Sequence, residues 1–268
     1  MQISYACEPS PDTAANEDFV IAGPLFALVL DGATASGLPT GCVHDVAWFV
    51  QRLGAELAGF LLSHPDEPLP EVLRQAILRT RDLHPQCDLD NPDSPSATVA
   101  LLRVAPDADR LDCLVLADSP IVVRGVDGRV EVHADDRIDH LPAYDRESVS
   151  RLRNAPGGFW VASARPEAAE QAVTASHSLS RVRDVAALSD GIGRLVDRFG
   201  WTWPGLLDAL GTDGPSHLVD AVRKHELDLA EGSFRGKRHD DATVLYAQFH
   251  PSSGGGTSGR TTDAAAAQ

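Results

Sequence analysis

Apolar positions along this chain fall mostly into short strand-like runs, interrupted by longer stretches of helical period. The first thirty residues read as three strands, 2–7, 18–22 and 25–30, with Gly23-Pro24 predicting a tight turn between the last two. Trp48, Val50, Leu53, Leu57, Phe60 and Leu61 then recur at helical spacing and predict an amphipathic helix over about 44–63. A second helix is expected over about 69–83, with Pro70 in the first turn, where its missing N–H would be unpaired anyway. From Ser96 the period changes, and branched residues predict strands at 98–104, 111–116, 121–123 and 130–133. Asp107-Ala108-Asp109 and Val126-Asp127-Gly128 supply turns between them. Residues 144–153 read as helix, 159–162 as a strand entered from Gly157-Gly158, 166–172 as a short helix or turn, and 182–188 as a strand. Helices follow at about 192–199, 203–210 and 216–226, and a strand at 243–249 closes the pattern.

Helices grouped between blocks of strands favour an α+β layered domain over a doubly wound sheet. Two antiparallel sheets with helix pairs outside them would place every segment, in one domain over about 1–250. Residues 251–268 are mostly Ser, Gly, Thr and Ala, too poor in apolar surface to fold, and are expected to form a disordered tail.

Composition narrows the partners. A formal charge of −16 argues against nucleic acid or an anionic membrane surface, which both call for a basic face. At 268 residues and 43% hydrophobic content, a core can form without disulfide staples. Cys7, Cys42, Cys87 and Cys113 are scattered without Cys-x-x-Cys spacing, which favours reduced structural thiols over a zinc or redox motif. The longest apolar stretch, 19–30, is broken at Gly23-Pro24 and falls short of the roughly 20 residues that span a bilayer. With no charged-then-apolar leader at its start, the chain is expected to be soluble and cytoplasmic.

The candidate chemistry lies where apolar strands run into acids. Leu28-Val29-Leu30-Asp31-Gly32 and Ala187-Leu188-Ser189-Asp190-Gly191 each carry an Asp-Gly pair at a strand end. His239-Asp240-Asp241-Ala242-Thr243 places acids just before the last strand, and Asn16-Glu17-Asp18 precedes the first Asp-Gly. Singly, each has a plain explanation: a turn at Asp31-Gly32, a helix cap at Asp190, a solvated loop at Asp240-Asp241, an exposed Glu17. Together they suggest convergence on a hard divalent cation, because carboxylates are costly to desolvate unless paired or metal-bound.

This ordered set resembles the metal-dependent protein phosphatases of type 2C, and the resemblance runs from about residue 12 to 249. It implies a four-layer α-β-β-α sandwich with two central antiparallel sheets, and hydrolysis of phosphomonoesters with two Mg²⁺ or Mn²⁺ ions. Position by position, Asp31 would bridge the two ions, Asp190 and Asp240 would complete the first site, and the Gly32 carbonyl with Glu17 would hold the second. Asp18 would orient the attacking water, and Asp118, in Ala117-Asp118-Ser119, would hold a third, weaker ion. Oxygen-only donors suit these metals, and paired ions remove the need for a protein nucleophile.

The sequence also departs from the pattern. Thr13 stands where bacterial relatives place a phosphate-gripping arginine, and Arg235, Lys237 and Arg238 are the candidate substitutes, with Arg238 taken as the substrate-binding choice. Ala33-Thr34 follow Asp31-Gly32 where other members carry a glycine-rich run or a proton-donating histidine, so no fixed donor is expected there. His44 is either such a donor or a helix-start residue, with the second favoured, and His239 is a poor rival to Asp240 for a hard cation. Asp135, Asp136 and Asp139 read as a solvated acidic loop. Three functions stay open: a phosphoserine/phosphothreonine protein phosphatase, a phosphatase of small phosphorylated metabolites, and a catalytically weak binding module of the same fold.

Overall fold

Alternation within the strands decides the layering. The computed structural model describes residues 1–13, 15–33, 39–107, 109–229 and 237–249. Its elements are β1 (Gln2–Glu8), β2 (Asp18–Ala22), β3 (Phe26–Ala33), α1 (Val46–Ser63), α2 (Leu69–Asp82), β4 (Ser96–Ala97), β5 (Val99–Val104) and β6 (Arg110–Leu116). These are followed by β7 (Ile121–Gly125), β8 (Val130–His133), α3 (Arg146–Leu152), β9 (Val173–Ser178), β10 (Val182–Leu188), α4 (Asp190–Asp197), α5 (Trp203–Thr212), α6 (Pro215–Leu227) and β11 (Ala242–Gln248). One antiparallel sheet has the order β1-β11-β10-β7-β8, and the other β2-β3-β5-β6-β9 with β4 paired to β3.

In β3, Ala27 and Val29 face the other sheet while Leu28 and Leu30 face α1 and α2. In β10, Val185 and Ala187 point inward while Ala186 and Leu188 meet α4, α5 and α6. Strands apolar on both faces therefore form the middle of four layers, with helices outside, as the grouping of elements predicts. Leu53, Leu57, Leu73 and Ile77 fill one outer layer, and Ile192, Leu195, Leu206 and Leu218 the other.

Two expected elements are corrected. Residues 159–162 form no strand; Phe159 and Ala162 make only isolated bridges, to Arg153 and Ala97. Residues 173–178 do form one, β9, along the outer edge of β6. Its largely exposed side chains give no alternating apolar signal, and ladder hydrogen bonds carry it instead. The helix expected from 192 begins at Asp190, so the acid belongs to its first turn. Among the described residues no helix is long and apolar enough to cross a membrane. The expected tail at 251–268, Thr34 and Arg235 lie outside the described residues.

One buried ion pair ties the second sheet to its helices. Arg124 on β7 donates to both oxygens of Asp184 on β10 and, at 2.5 Å, to Asp208 of α5. Asp184 is only 1% exposed. Removing one partner of such a pair strands a charge in the interior. Asp184→Ala is therefore expected to lower stability by about 3–5 kcal/mol in urea denaturation. Arg129→Ala, which removes an exposed partner of Asp127, should leave the midpoint nearly unchanged.

Candidate metal centre

Antiparallel pairing brings the acids to one end of both sheets. Asp18 opens β2 and is registered directly opposite Asp31 on β3, so their side chains leave the same face. The end of β10 pairs with the start of β11, Leu188 opposite Val244, which brings Asp190 beside the Asp240-Asp241 segment. The turn carrying Asp118 leads into β7, and Leu188 N–H donates to Pro120 in that turn.

Hydrogen bonds fix these groups. Asp190 N–H donates to Asp31 Oδ2 at 3.1 Å. Asp241, nearly buried, accepts from Ser10 N–H at 2.7 Å and Glu17 N–H at 2.6 Å, which locks the Glu17 backbone to the head of β11. Gly32 N–H donates to the Glu17 carbonyl at 3.0 Å. A Cβ at Gly32 would lie 2.5 Å from that carbonyl and 2.4 Å from Val46 Cγ1; one at Gly191 would lie 2.0 Å from the Asp241 carbonyl. Both Asp-Gly glycines are thus demanded by close packing of backbone segments at the site.

The acids sense one another. Burial, then Asp18, Asp190 and Asp118, hold the Asp31 carboxyl well above the ordinary carboxylate range. Burial pushes Asp18 up to about 8, the nearby Thr243 and Ser189 hydroxyls oppose the rise, and Asp241 and Asp190 add to it. Burial, then Asp190, raises Asp118 to about 7. Asp190 is raised by burial and Asp240, with Arg194 opposing. Among the described residues, Asp18 Oδ2 is buried with no hydrogen-bond partner. An orphaned buried carboxylate oxygen among repelling carboxyls fits a divalent cation held by oxygen donors.

Asp240 stands slightly apart. Its Oδ2 accepts from Arg194 Nη2 at 2.5 Å, and its Oδ1 lies 3.5 Å from Lys237 Nζ. Arg194 is buried and also donates to Glu226 Oε1 at 3.0 Å. Sequence reading missed Arg194, because a lone arginine inside a helix carries no motif. It gave Asp241, Ser189 and Thr243 no role, although they sit inside the quoted motifs.

The substitute cations separate clearly. Arg238 donates to the Glu226 and Leu229 carbonyls at 3.1 and 2.9 Å, fastening it to the end of α6. Burial works against the Lys237 ammonium, but Asp240, Glu17 and Asp241 outweigh it and raise its pKa, so Lys237 faces the acids. Thr13 Oγ1 donates to the Ala15 carbonyl and serves a turn. His239 pairs with Asp12 at 3.0 Å.

One further expectation is corrected. Asp135 is buried, accepting from Ala117 N–H at 3.0 Å and bidentately from Arg137, so it braces the turn that carries Asp118 and is no solvated loop. Ala117 has φ of 66°, the left-handed region that favours glycine. Its burial against Leu141, Phe159 and Val161 returns roughly 0.8 kcal/mol per methyl-sized group, comparable to the roughly 1–2 kcal/mol backbone cost. Cys42 and Cys87, distant in sequence, meet at 3.4 Å beside His44 and His84.

A family model described as protein phosphatase 2C matches residues 12–223. No curated protein matches the chain. Among solved structures, the PPM Ser-Thr phosphatase MsPP of Mycobacterium smegmatis, in complex with cacodylate, is similar at 18% identity and TM-score 0.58, over 93% of this chain and 99% of that one. The serine/threonine phosphatase PstP/Ppp of Mycobacterium tuberculosis gives 17% identity and TM-score 0.59, with coverage of 93% and 99%. The catalytic domain of PstP in complex with two manganese ions gives 16%, 0.54, 92% and 97%. At these identities the likeness is one of fold.

The raised carboxyls set a pH dependence. Asp18 and Asp118 titrate near 8 and 7 when folded, against 3.8 ordinarily, so the folded protein binds protons that the unfolded chain has released. Without divalent ions, stability is therefore fully present below about pH 4 for these groups and declines as pH rises through 7 and 8. Thermal melts in EDTA should show the midpoint falling between about pH 5 and pH 8.5, with Asp18→Asn flattening the slope. Manganese should reverse it, since the ion competes with protons for the same oxygens. A midpoint that rises with pH in EDTA would contradict the clustering.

Proposed function

The chain belongs to the protein phosphatase 2C family of metal-dependent phosphatases, and from that premise we propose that it hydrolyses phosphoserine and phosphothreonine in proteins with Mg²⁺ or Mn²⁺. The observation that supports this reading is the electrostatic influence of Asp18, Asp190 and Asp118 on the buried Asp31, from four separate segments, with one buried oxygen of Asp18 unpartnered among the described residues. Asp31, Asp190 and Asp240 would hold one ion, Asp31 with Glu17 and the Gly32 carbonyl a second, and Asp118 a third. When bound, the ions supply Lewis-acid polarisation of the phosphoryl group and lower the pKa of water.

The protein's own residues do the rest. Asp18 offers Oδ2 as an acceptor that would orient a water proton, with the Thr243 and Ser189 hydroxyls nearby. Asp241 fixes the Glu17 backbone through the Glu17 N–H, and the Glu17 carbonyl in turn receives Gly32 N–H, so two expected ligands move as one unit. Arg194 holds Asp240 Oδ2, while Asp241 N–H at 3.2 Å and Lys237 Nζ at 3.5 Å reach Oδ1, so a cation there would share that oxygen with them. Lys237, facing these acids, is the side chain best placed to attract a phosphate anion where Thr13 cannot. That replacement of a forked guanidinium by a point charge favours a second reading, a small phosphorylated metabolite as substrate. Rates on phosphopeptides against a panel of sugar, nucleotide and amino-acid phosphates distinguish the two.

Manganese-dependent hydrolysis of p-nitrophenyl phosphate, abolished by EDTA, is the expected activity. Asp31→Asn should reduce it by more than the roughly 10–100-fold that loss of an outer-shell partner costs. A folded protein inactive with every divalent ion defeats the proposal. Lys237→Ala should raise KM roughly tenfold while kcat changes less, the signature of lost substrate binding. Equal kinetics in Lys237→Ala and the parent would remove Lys237 from the site.

A further inference from the structure

A second donor set, chemically unlike the first, lies at the start of α1. Cys42 and His44 sit in the segment before this helix, and His84 and Cys87 in the segment after α2. Cys42 Sγ lies 3.4 Å from Cys87 Sγ, 3.4 Å from His84 Nδ1 and 3.5 Å from His44 Nδ1; Cys87 Sγ lies 3.7 Å from His44 Nδ1. One ligand atom from each of the four residues falls within 4.8 Å of all the others. Zinc–sulfur bonds of about 2.3 Å and zinc–nitrogen bonds of about 2.0–2.1 Å in a tetrahedron require edges of roughly 3.3–3.8 Å between ligand atoms. The four measured edges match that figure. The sulfurs are well beyond the roughly 2.05 Å of a disulfide.

We propose that Cys42, His44, His84 and Cys87 form a structural Zn²⁺ site. Two thiolates and two imidazoles are the donor type that selects zinc, whereas the carboxylates near Asp31 select magnesium or manganese. All four positions are filled by protein, which makes the site closed and structural, with no open place for substrate. Aromatic rings wall it: Trp48 stacks on His44 at 3.8 Å between centroids and meets His84 edge-on at 4.7 Å. The same two segments are joined independently, Asp88 N–H to the Gly41 carbonyl at 2.8 Å and Asn91 Nδ2 to the Pro39 carbonyl at 2.9 Å.

The consequence is mechanical. A zinc ion would clamp the chain before α1 to the end of α2 and so fix where α1 begins. Val46, the first residue of α1, packs against Gly32, next to Asp31. The clamp thereby steadies the Asp31-Gly32 segment without touching it.

The test uses the full chain, purified under reducing conditions and stripped with chelator. One equivalent of Co²⁺ is expected to give the visible bands of tetrahedral cobalt together with a thiolate-to-cobalt charge-transfer band, and one equivalent of Zn²⁺ to bleach both. Cys42→Ser and Cys87→Ser should each weaken zinc binding by at least about 100-fold, the upper end of what losing a mere outer-shell partner costs. Asp31→Asn should keep the charge-transfer band, which separates this site from the phosphatase centre. If the serine variants do not fold, the spectrum of the parent protein decides alone. Absence of the charge-transfer band in the reduced parent protein overturns the proposal, as does a Cys42–Cys87 disulfide whose reduction restores no zinc binding.

Discussion

Carboxyl groups gathered in one partly buried volume repel one another, and the strand ends of both sheets hold them together against that repulsion. Register does most of this work. Asp18 and Asp31 cannot separate without unzipping the β2–β3 hairpin, and Asp190 and the Asp240-Asp241 pair are bound to the β10–β11 ladder. The apolar layers on either side, built from Leu28 and Leu30 on one sheet and Leu188 and Val244 on the other, supply the stiffness. A site of this kind needs a scaffold whose alternatives are all worse, because its own contents favour dispersal.

Hydrogen bonding then sorts the acids by role. Asp241 and Asp135 are acids of the same neighbourhood, yet both are saturated by backbone N–H groups or arginine and serve as braces. Asp18 keeps an oxygen with no hydrogen-bond partner among the described residues. Asp240 has donors at both oxygens, Arg194 at Oδ2 and Asp241 N–H with Lys237 at Oδ1, yet it is less buried than either brace. Which carboxylate braces the backbone and which keeps an oxygen open follows from how many donors reach it, and composition alone cannot separate them.

Much of this was legible beforehand. The 182–188 strand, the 18–30 hairpin and the helices over 46–63 and 69–82 follow from periodicity, since burial there is strongly one-sided or complete. Strand β9 was hidden because an exposed edge strand has no reason to alternate. The convergence of Asp31 with Asp190 was readable because each acid sits at a strand end, where topology restricts its position. Arg194 was not readable, its partner Asp240 being 46 residues away. The sulfur–imidazole cluster was half-visible: Cys42-x-His44 and His84-x-x-Cys87 are both metal-like spacings, but neither half contains a pair of cysteines, and their junction depends on α1 packing against α2.

The strand order carries a further consequence for how the molecule is made. β11 lies between β1 and β10, although it follows both in the chain. Until residue 248 has left the ribosome, the first strand has no neighbour and the second sheet is split by a gap one strand wide. The brace that Asp241 gives the Glu17 amide is missing during the same interval. In the native order, docking of β11 therefore joins β1 to the rest of the sheet and brings the Asp241 brace to Glu17 in one step.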